Sequence, residues 1–415
     1  MRLPAALSAD GLRWAWRESR DSKSDPGAPG VDGVRAERFA SELADEIRRI
    51  REDVRTGTYR FKKLRLARMK KSSGQYRILA IPTVRDRLLQ RALLWHLEND
   101  VRFNAASPIA YGFIKERTLP CAQRRALELR QSHPWVLKCD IVQFFDRIPR
   151  PALKDLIGRQ VRSKVVQTLL CQAVDCELEE SDAGDAQFVR DCGIIKGTGL
   201  RQGMPVSPLL SNLLLKDFDR KLQAERIRAV RYADDIAVFA DSARECDEAL
   251  SCIQTGLADL KLRVPGLDEA GKTARLRPSQ PAEFLGVEIR RFEAGYELCA
   301  PSGRLREIEA DMAEIVSIEQ CIKTRRNLGE VARRLESFVI GHAASMAVLA
   351  NPQDFRNRLD AAKNRQMTAL LVNLLGQEVV DRLAPEGRAI LGIEPFPSIP
   401  RKRQRSTGTA QSSIA

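Results

Sequence analysis

Residues 231–241 read RYADDIAVFAD, two adjacent acidic side chains set between runs of strand-forming residues. Val230, Tyr232, Ile236, Val238 and Phe239 are β-branched or aromatic and alternate with smaller or polar neighbours, which predicts two short strands joined by a tight turn. Strand propensity does not account for Asp234 and Asp235. Aspartate tolerates turn geometry, so a solvated hairpin is one reading. The other is a pair of carboxylates gathered to hold cations, and the rest of the chain decides between them.

Working outward, the chain has 415 residues, enough to bury a large core in two or three domains or subdomains packed as one body. It carries 69 Lys and Arg against 55 Asp and Glu, a formal charge of +14 that favours a polyanionic partner, nucleic acid ahead of acidic lipid. No apolar run has signal-peptide or bilayer-spanning length, so a cytoplasmic location with no membrane partner is expected. The nine cysteines form no paired C-x-x-C pattern, and buried free thiols are expected. Cys171, Cys176 and Cys192 lie near one another in sequence, but no histidine close by completes a zinc set. His96, His133 and His342 are far apart and suggest no catalytic cluster.

Residues 1–50 read as a helical and turn-rich N-terminal extension. From Tyr59 to Arg77 the chain carries eight Lys or Arg and no acid, with apolar residues in near-alternation about a KSSG turn, which predicts a basic hairpin. Lysines also protect ordinary edge strands from aggregation, so phosphate binding and solvation both remain open there. A helix follows over RDRLLQRALLWHLENDV, then a strand ending at Asp140 in PWVLKCDIVQFFDRI. Between 150 and 200 a helix, an acidic loop ELEESDAGDA and a short pair of strands are expected. Ser207-Pro208 opens a strongly apolar helix. After the strand EFLGVEIRRF the pattern is helical from about Pro301 to Gln377, and residues 386–415 read as a basic, disordered tail.

Asp140 thus ends one apolar strand while Asp234 and Asp235 sit inside the hairpin. If these strands are neighbours, Asp140 faces Asp234 across the rung and the patch demands cations. Mg²⁺ suits hard oxygen ligands and substrate phosphates. Two such ions about 3.5–4 Å apart activate an attacking hydroxyl and stabilise a leaving pyrophosphate, which is the chemistry of nucleotidyl transfer.

The segments GAPGVDGV, YRILAIPTVRDRLLQ, AYGFIKER, CDIVQFFDRI, GLRQGMPVSPLLSNLLL, RYADDIAVFAD, GKT and FLGVEI occur in this order over residues 27 to 290. In that order they resemble the sequence blocks of reverse transcriptases, in the variety encoded by group II introns and their compact bacterial relatives. The resemblance implies an α+β right-hand polymerase: fingers and palm over 51–295, the palm an antiparallel sheet packed on helices, and a helical thumb over 296–385 gripping duplex through basic stretches such as KTRRNLGEVARR. A solvated helical bundle would show the same pattern. The activity implied is RNA-directed DNA polymerisation on an RNA template, from a DNA or RNA primer, with deoxynucleoside triphosphates.

Residue by residue, the resemblance implies that Asp140 and Asp234 bind two Mg²⁺ ions, with the Ile141 carbonyl as a backbone ligand and Asp235 completing the anionic cluster. Phe145 occupies the place of an aromatic gate against a ribose 2′-hydroxyl, with Phe144 on the opposite face. Gln202 packs along the incoming nucleotide and Gly203 permits close backbone approach. Lys70, or Lys71 in its stead, and Arg77 clamp the triphosphate. Lys272 lies near the departing pyrophosphate as a general acid, its alternative being an exposed lysine. Arg85, Asp86 and Arg87 fit either template phosphate or internal ion pairs and are left unassigned.

Group II intron proteins continue into DNA-binding and endonuclease regions, so autonomous intron mobility is not expected of this chain. The retron Asn-Ala-x-x-His block is not met, because Asn104-Ala105 runs into ASP. The resemblance extends to antiviral defence with a dedicated noncoding RNA. An RNA-binding maturase-like scaffold and a template-independent DNA polymerase stand as alternatives. The intact carboxylates favour catalysis, since binding alone does not require a costly cluster of like charges.

Overall fold

The computed structural model describes residues 3–19, 21, 27–70, 74, 76–269, 272–384, 387 and 391. The tail expected beyond residue 386 and the candidate Lys71 lie outside these, apart from residues 387 and 391. The class is α+β. The chain divides into two compact units: Met1–Leu285 with Ile289–Glu297, and Gly286–Glu288 with Leu298–Ala415.

Among the described residues ten strands form three sheets. In the first, β1 (Leu64–Lys70) and β2 (Tyr76–Ile81) make the expected antiparallel hairpin, and β4 (Leu178–Glu179) adds to β1 in parallel. In the second, β3 (Trp135–Asp140), β5 (Arg228–Tyr232), β6 (Asp235–Ala240) and β7 (Ala274–Leu276) run in the order β5-β6-β3-β7, antiparallel throughout. The third joins β8 (Ala282–Phe284), β9 (Val287–Phe292) and β10 (Gly295–Cys299) in the order β10-β9-β8.

The second sheet is central because alternate residues on its strands bury one face against helices. Leu137, Cys139, Ile236 and Val238 pack into a single core with Leu210, Leu214 and Phe218 of the helix Ser207–Ala224 and with Ile253 and Leu257 of the helix Ala243–Ala258. Each such side chain contributes about 1.5–3 kcal/mol by leaving water. Leu12, Trp16, Phe39, Ile47 and Ile50 join the same core, so the helices that carry them are part of this body.

The expected acidic loop after residue 177 is instead the two-residue strand β4 followed by the helix Ala183–Asp191. Asp182 starts that helix by accepting the Asp185 N–H at 2.8 Å, and an acidic first turn suits the helix dipole. Composition suggested a loop; position made the acids helix-starting residues.

The second unit is built from the helices Arg304–Ile315, Ile318–Thr324, Leu328–Ser345, Pro352–Leu375 and Gln377–Asp381. Asn327 and Glu330 form a reciprocal capping box at the start of the third. Ile308, Met312, Val331, Leu335, Val339 and Leu359 are buried at helical spacing. No helix among the described residues is long and apolar enough to cross a membrane.

Candidate active site

Strand pairing sets the acids. β3 and β6 are paired so that Asp140 lies opposite Asp235, and β5 and β6 close through Tyr232 opposite Asp235. Ala233 and Asp234 are therefore the two-residue turn. This moves the register by one from the expected Asp140–Asp234 rung. Asp234 comes to Asp140 through the backbone instead, its carbonyl accepting the Ile141 N–H at 3.2 Å.

The three carboxylates are half-buried and share one end of the sheet. Burial, together with the Asp140 charge, pushes the Asp234 carboxyl up to about 6. Burial and the same neighbour raise Asp235. Lys272 places its ammonium 2.6 Å from Asp140 Oδ2. Partial burial opposes its charge, but the hydrogen bond to Asp140 and the three negative neighbours outweigh this and raise it. Lys272 is thus paired with a carboxylate while its side chain stays 68% exposed.

Among the described residues no group of three or more His, Cys, Asp and Glu side chains is arranged to hold a metal ion as it stands. The donor set nevertheless fits Mg²⁺: all are hard carboxylate oxygens, and their mutual repulsion disfavours the ionised state that a divalent ion would favour.

The turn itself is strained and braced. Ala233 has φ +57°, a left-handed conformation costing a non-glycine residue about 1–2 kcal/mol. Arg231, fully buried, donates from Nη1 to the Ala233 carbonyl at 3.0 Å and to Asn212 Oδ1 at 3.0 Å. Its other nitrogens grip Asp219 bidentately, Nε to Oδ1 at 2.7 Å and Nη2 to Oδ2 at 2.6 Å. Ser107 donates to Asp219 Oδ2 at 2.6 Å, and Asn212 Nδ2 donates to the Gly112 carbonyl at 2.7 Å. A Cβ on Gly112 would stand 2.6 Å from the Ala233 nitrogen, so only glycine lets this segment lie against the turn.

A family of reverse transcriptases (RNA-dependent DNA polymerases) matches residues 69–289, more than half of the chain and all three acids. The chain belongs to the reverse transcriptase family. It is 32% identical over 218 residues to Protein YkfC of Escherichia coli K12, covering 50% of this chain and 54% of that protein. It is 25% identical to the group II intron-encoded protein LtrA of Lactococcus lactis subsp. cremoris, covering 64% and 53% respectively. It is 27% identical to the Retron Ec83 reverse transcriptase of Escherichia coli, covering 41% and 50%. The chain spans about half the length of the curated relatives it matches.

The loop carrying Gln202 and Gly203 docks on β2. The Ala80 N–H donates to the Gln202 carbonyl at 2.7 Å. Arg201, just upstream, and Arg150, at the start of the helix Arg150–Gln160, are buried and both pair with Glu177, at 2.6 and 2.7 Å, fastening the loop. Gly203 has φ +115°, and a Cβ there would lie 2.3 Å from the Ala80 carbonyl oxygen. Gly203→Ala should therefore cost about 1–3 kcal/mol in urea unfolding. An unchanged midpoint would show that the close approach is absent.

Phe144 and Phe145 lie in the helical turn Phe144–Arg147 rather than on a strand, so the two rings are separated by the helical step and not by strand alternation. Phe144 is buried; Phe145 is half-buried, its ring centroid 5.3 Å from that of Phe144, and its carbonyl accepts the Leu200 N–H at 2.7 Å.

Lys70 and Arg77 are not brought together. Lys70 is opposite Tyr76 and Arg77 opposite Met69, so the pleat sends their side chains to opposite faces of the hairpin. An odd separation across a hairpin whose partners share parity always does this. Arg77 shares its face with Leu79, which would contact a Gly203 Cβ. The other face carries Arg68 and Tyr76, both against Phe188.

The unassigned Arg85, Asp86 and Arg87 are structural. Arg85 pairs with Asp53 at 2.6 Å, Asp86 accepts the Tyr59 hydroxyl at 2.7 Å, and Arg87 grips Asp21 with two bonds of 2.8 Å. Cys139, Cys176 and Cys246 are buried free thiols.

Proposed function

We propose that the chain is an RNA-directed DNA polymerase that extends a primer on an RNA template with deoxynucleoside triphosphates. The convergence of Asp140, Asp234 and Asp235 at one end of the β3–β6 pair carries this reading. Lys272 pairs directly with Asp140 alone, so a sheet end holding three half-buried acids still favours the recruitment of further positive charge.

In the reaction the primer 3′-oxygen attacks the α-phosphorus, the new P–O bond forms and pyrophosphate leaves. Asp140, Asp234, Asp235 and the Ile141 carbonyl would hold two Mg²⁺ ions. When bound, these ions supply Lewis-acid stabilisation to the attacking and leaving oxygens. Gln202 and Gly203 offer the nucleotide a backbone surface held rigidly by β2. Arg77 supplies positive charge for the triphosphate from the same side of the hairpin as Leu79. Lys272, in contact with Asp140, is placed to hold a proton beside the reacting groups. The second unit is read as the thumb; its exposed Lys323 and Arg325 would contact duplex phosphates without regard to sequence.

Phe145 is read as the gate against the 2′-hydroxyl, its ring braced by Phe144. Phe145→Ala should lower the preference for deoxynucleotides over ribonucleotides, measured as the ratio of kcat/KM values, by at least about tenfold. Unchanged sugar discrimination would remove the residue from that role.

The test of the function is primer extension on RNA with Mg²⁺, comparing the wild type with Asp234→Ala. Equal, near-zero incorporation by both, with RNA binding retained, would favour a scaffold instead. The proposed dedicated noncoding RNA is tested by sequencing the nucleic acid that copurifies with the protein.

A further inference from the structure

Beside the catalytic turn lies a residue that none of the roles above uses. Phe113 has φ +59°, a conformation that is an outlier for a bulky side chain, yet the residue is 46% exposed. Burial therefore does not explain why the strain is tolerated. The backbone on either side is locked. The Tyr111 N–H donates to the Arg231 carbonyl at 2.8 Å, and Arg117 Nη1 donates to the carbonyls of Ser107 and Ala110 at 2.5 Å each. Gly112 is pressed onto Tyr232 and Ala233. The result fixes the Phe113 ring 6.2 Å from that of Tyr232, the residue two before Asp234, at 46°.

We propose that Phe113, with Tyr232 beside it, is a stacking surface for a nucleobase at the growing end of the primer–template duplex. The proposal deepens the polymerase reading and rests on it. An exposed aromatic face serves every base alike, which a sequence-independent copying enzyme needs, and a ring held by a strained backbone loses little freedom when a base settles on it. Its place next to the acidic turn puts that base where the primer end must lie for its 3′-oxygen to react.

The experiment uses a short primer–template with 2-aminopurine either at the primer 3′ end or at the template base opposite. Fluorescence is read in the Asp234→Ala background, so that no incorporation is required. The protein should quench one of the two positions, and which one is quenched identifies the strand. Adding Phe113→Ala should relieve the quench, and Phe113→Trp should restore it. In the catalytically intact protein Phe113→Ala should raise KM for primer–template roughly tenfold while KM for the nucleotide and the unfolding temperature stay put. Phe113→Leu keeps apolar bulk without a π face and should behave as alanine does. It also decides the matter if the alanine variant fails to fold. Quenching or KM unaffected by Phe113→Leu would overturn the proposal. Quenching that depends on Phe113 in a protein that incorporates nothing would sink the polymerase reading and leave the stacking surface intact.

Discussion

Asp234→Ala should lower nucleotide incorporation by about a thousandfold or more while leaving the protein folded, because several kcal/mol of charge stabilisation at the reacting oxygens vanish with one carboxylate. The turn that carries the residue is held by backbone and by Arg231, not by the Asp234 side chain, so the strand pairing survives. Stability should even rise slightly. Asp234 is half-buried beside Asp140, and that burial and charge push its carboxyl up to about 6, a sign that its ionised form is unfavourable where it sits. Removing it relieves repulsion. The measurement pairs primer extension with thermal unfolding: activity lost with the unfolding temperature held or raised is the signature of a catalytic group. A variant that loses activity and stability together would assign Asp234 to structure, and one that keeps both would remove it from the site. Asp234→Asn separates charge from shape and should be as inactive as alanine.

The acids were readable in the sequence because each ends or interrupts a strand pattern, and the ordered blocks around them decided against a merely solvated turn. What periodicity does not fix is register. Whether Asp140 meets Asp234 or Asp235 depends on which residues form the turn, and that is settled by Ala233 taking a left-handed conformation, which propensity disfavours for alanine. The same limit applies to Lys70 and Arg77. Their separation in sequence suggests a clamp, but the strand pairing assigns them to opposite faces. Arg85 and Arg87 could be read as phosphate ligands until their partners Asp53 and Asp21, distant in sequence, are seen. The brace beneath the turn was missed although a signal existed. Asn212, Lys216 and Asp219 recur at helical spacing among the leucines of the helix Ser207–Ala224 and are all buried, so a polar stripe faced inward and called for partners. Lys216 bonds the Asn104 carbonyl, while the other two meet Arg231.

That stripe makes a second large prediction. Asp219 and Arg231 are both wholly buried, and each is the other's only charge partner among the described ion pairs. Cutting Asp219 back to alanine leaves a guanidinium in the core with its charge uncompensated, which costs about 3–5 kcal/mol, a third or more of the stability of an ordinary domain. The unfolding temperature should fall by about 10 °C. Arg231→Met should cost less than Asp219→Ala, since the remaining carboxylate still accepts from Ser107 and can take up a proton. Arg231→Lys is not conservative here: one ammonium cannot reproduce the bidentate grip and also reach Asn212 and the Ala233 carbonyl. It should retain the fold yet loosen the turn, lowering kcat more than it raises either KM, because the acids would be misplaced while the binding surfaces persist. A double variant, Asp219→Leu with Arg231→Met, removes both charges and should recover much of the stability without recovering activity. Recovery of activity along with stability would show that Asp219 and Arg231 serve the core alone and that the strained Ala233 turn holds its shape without them.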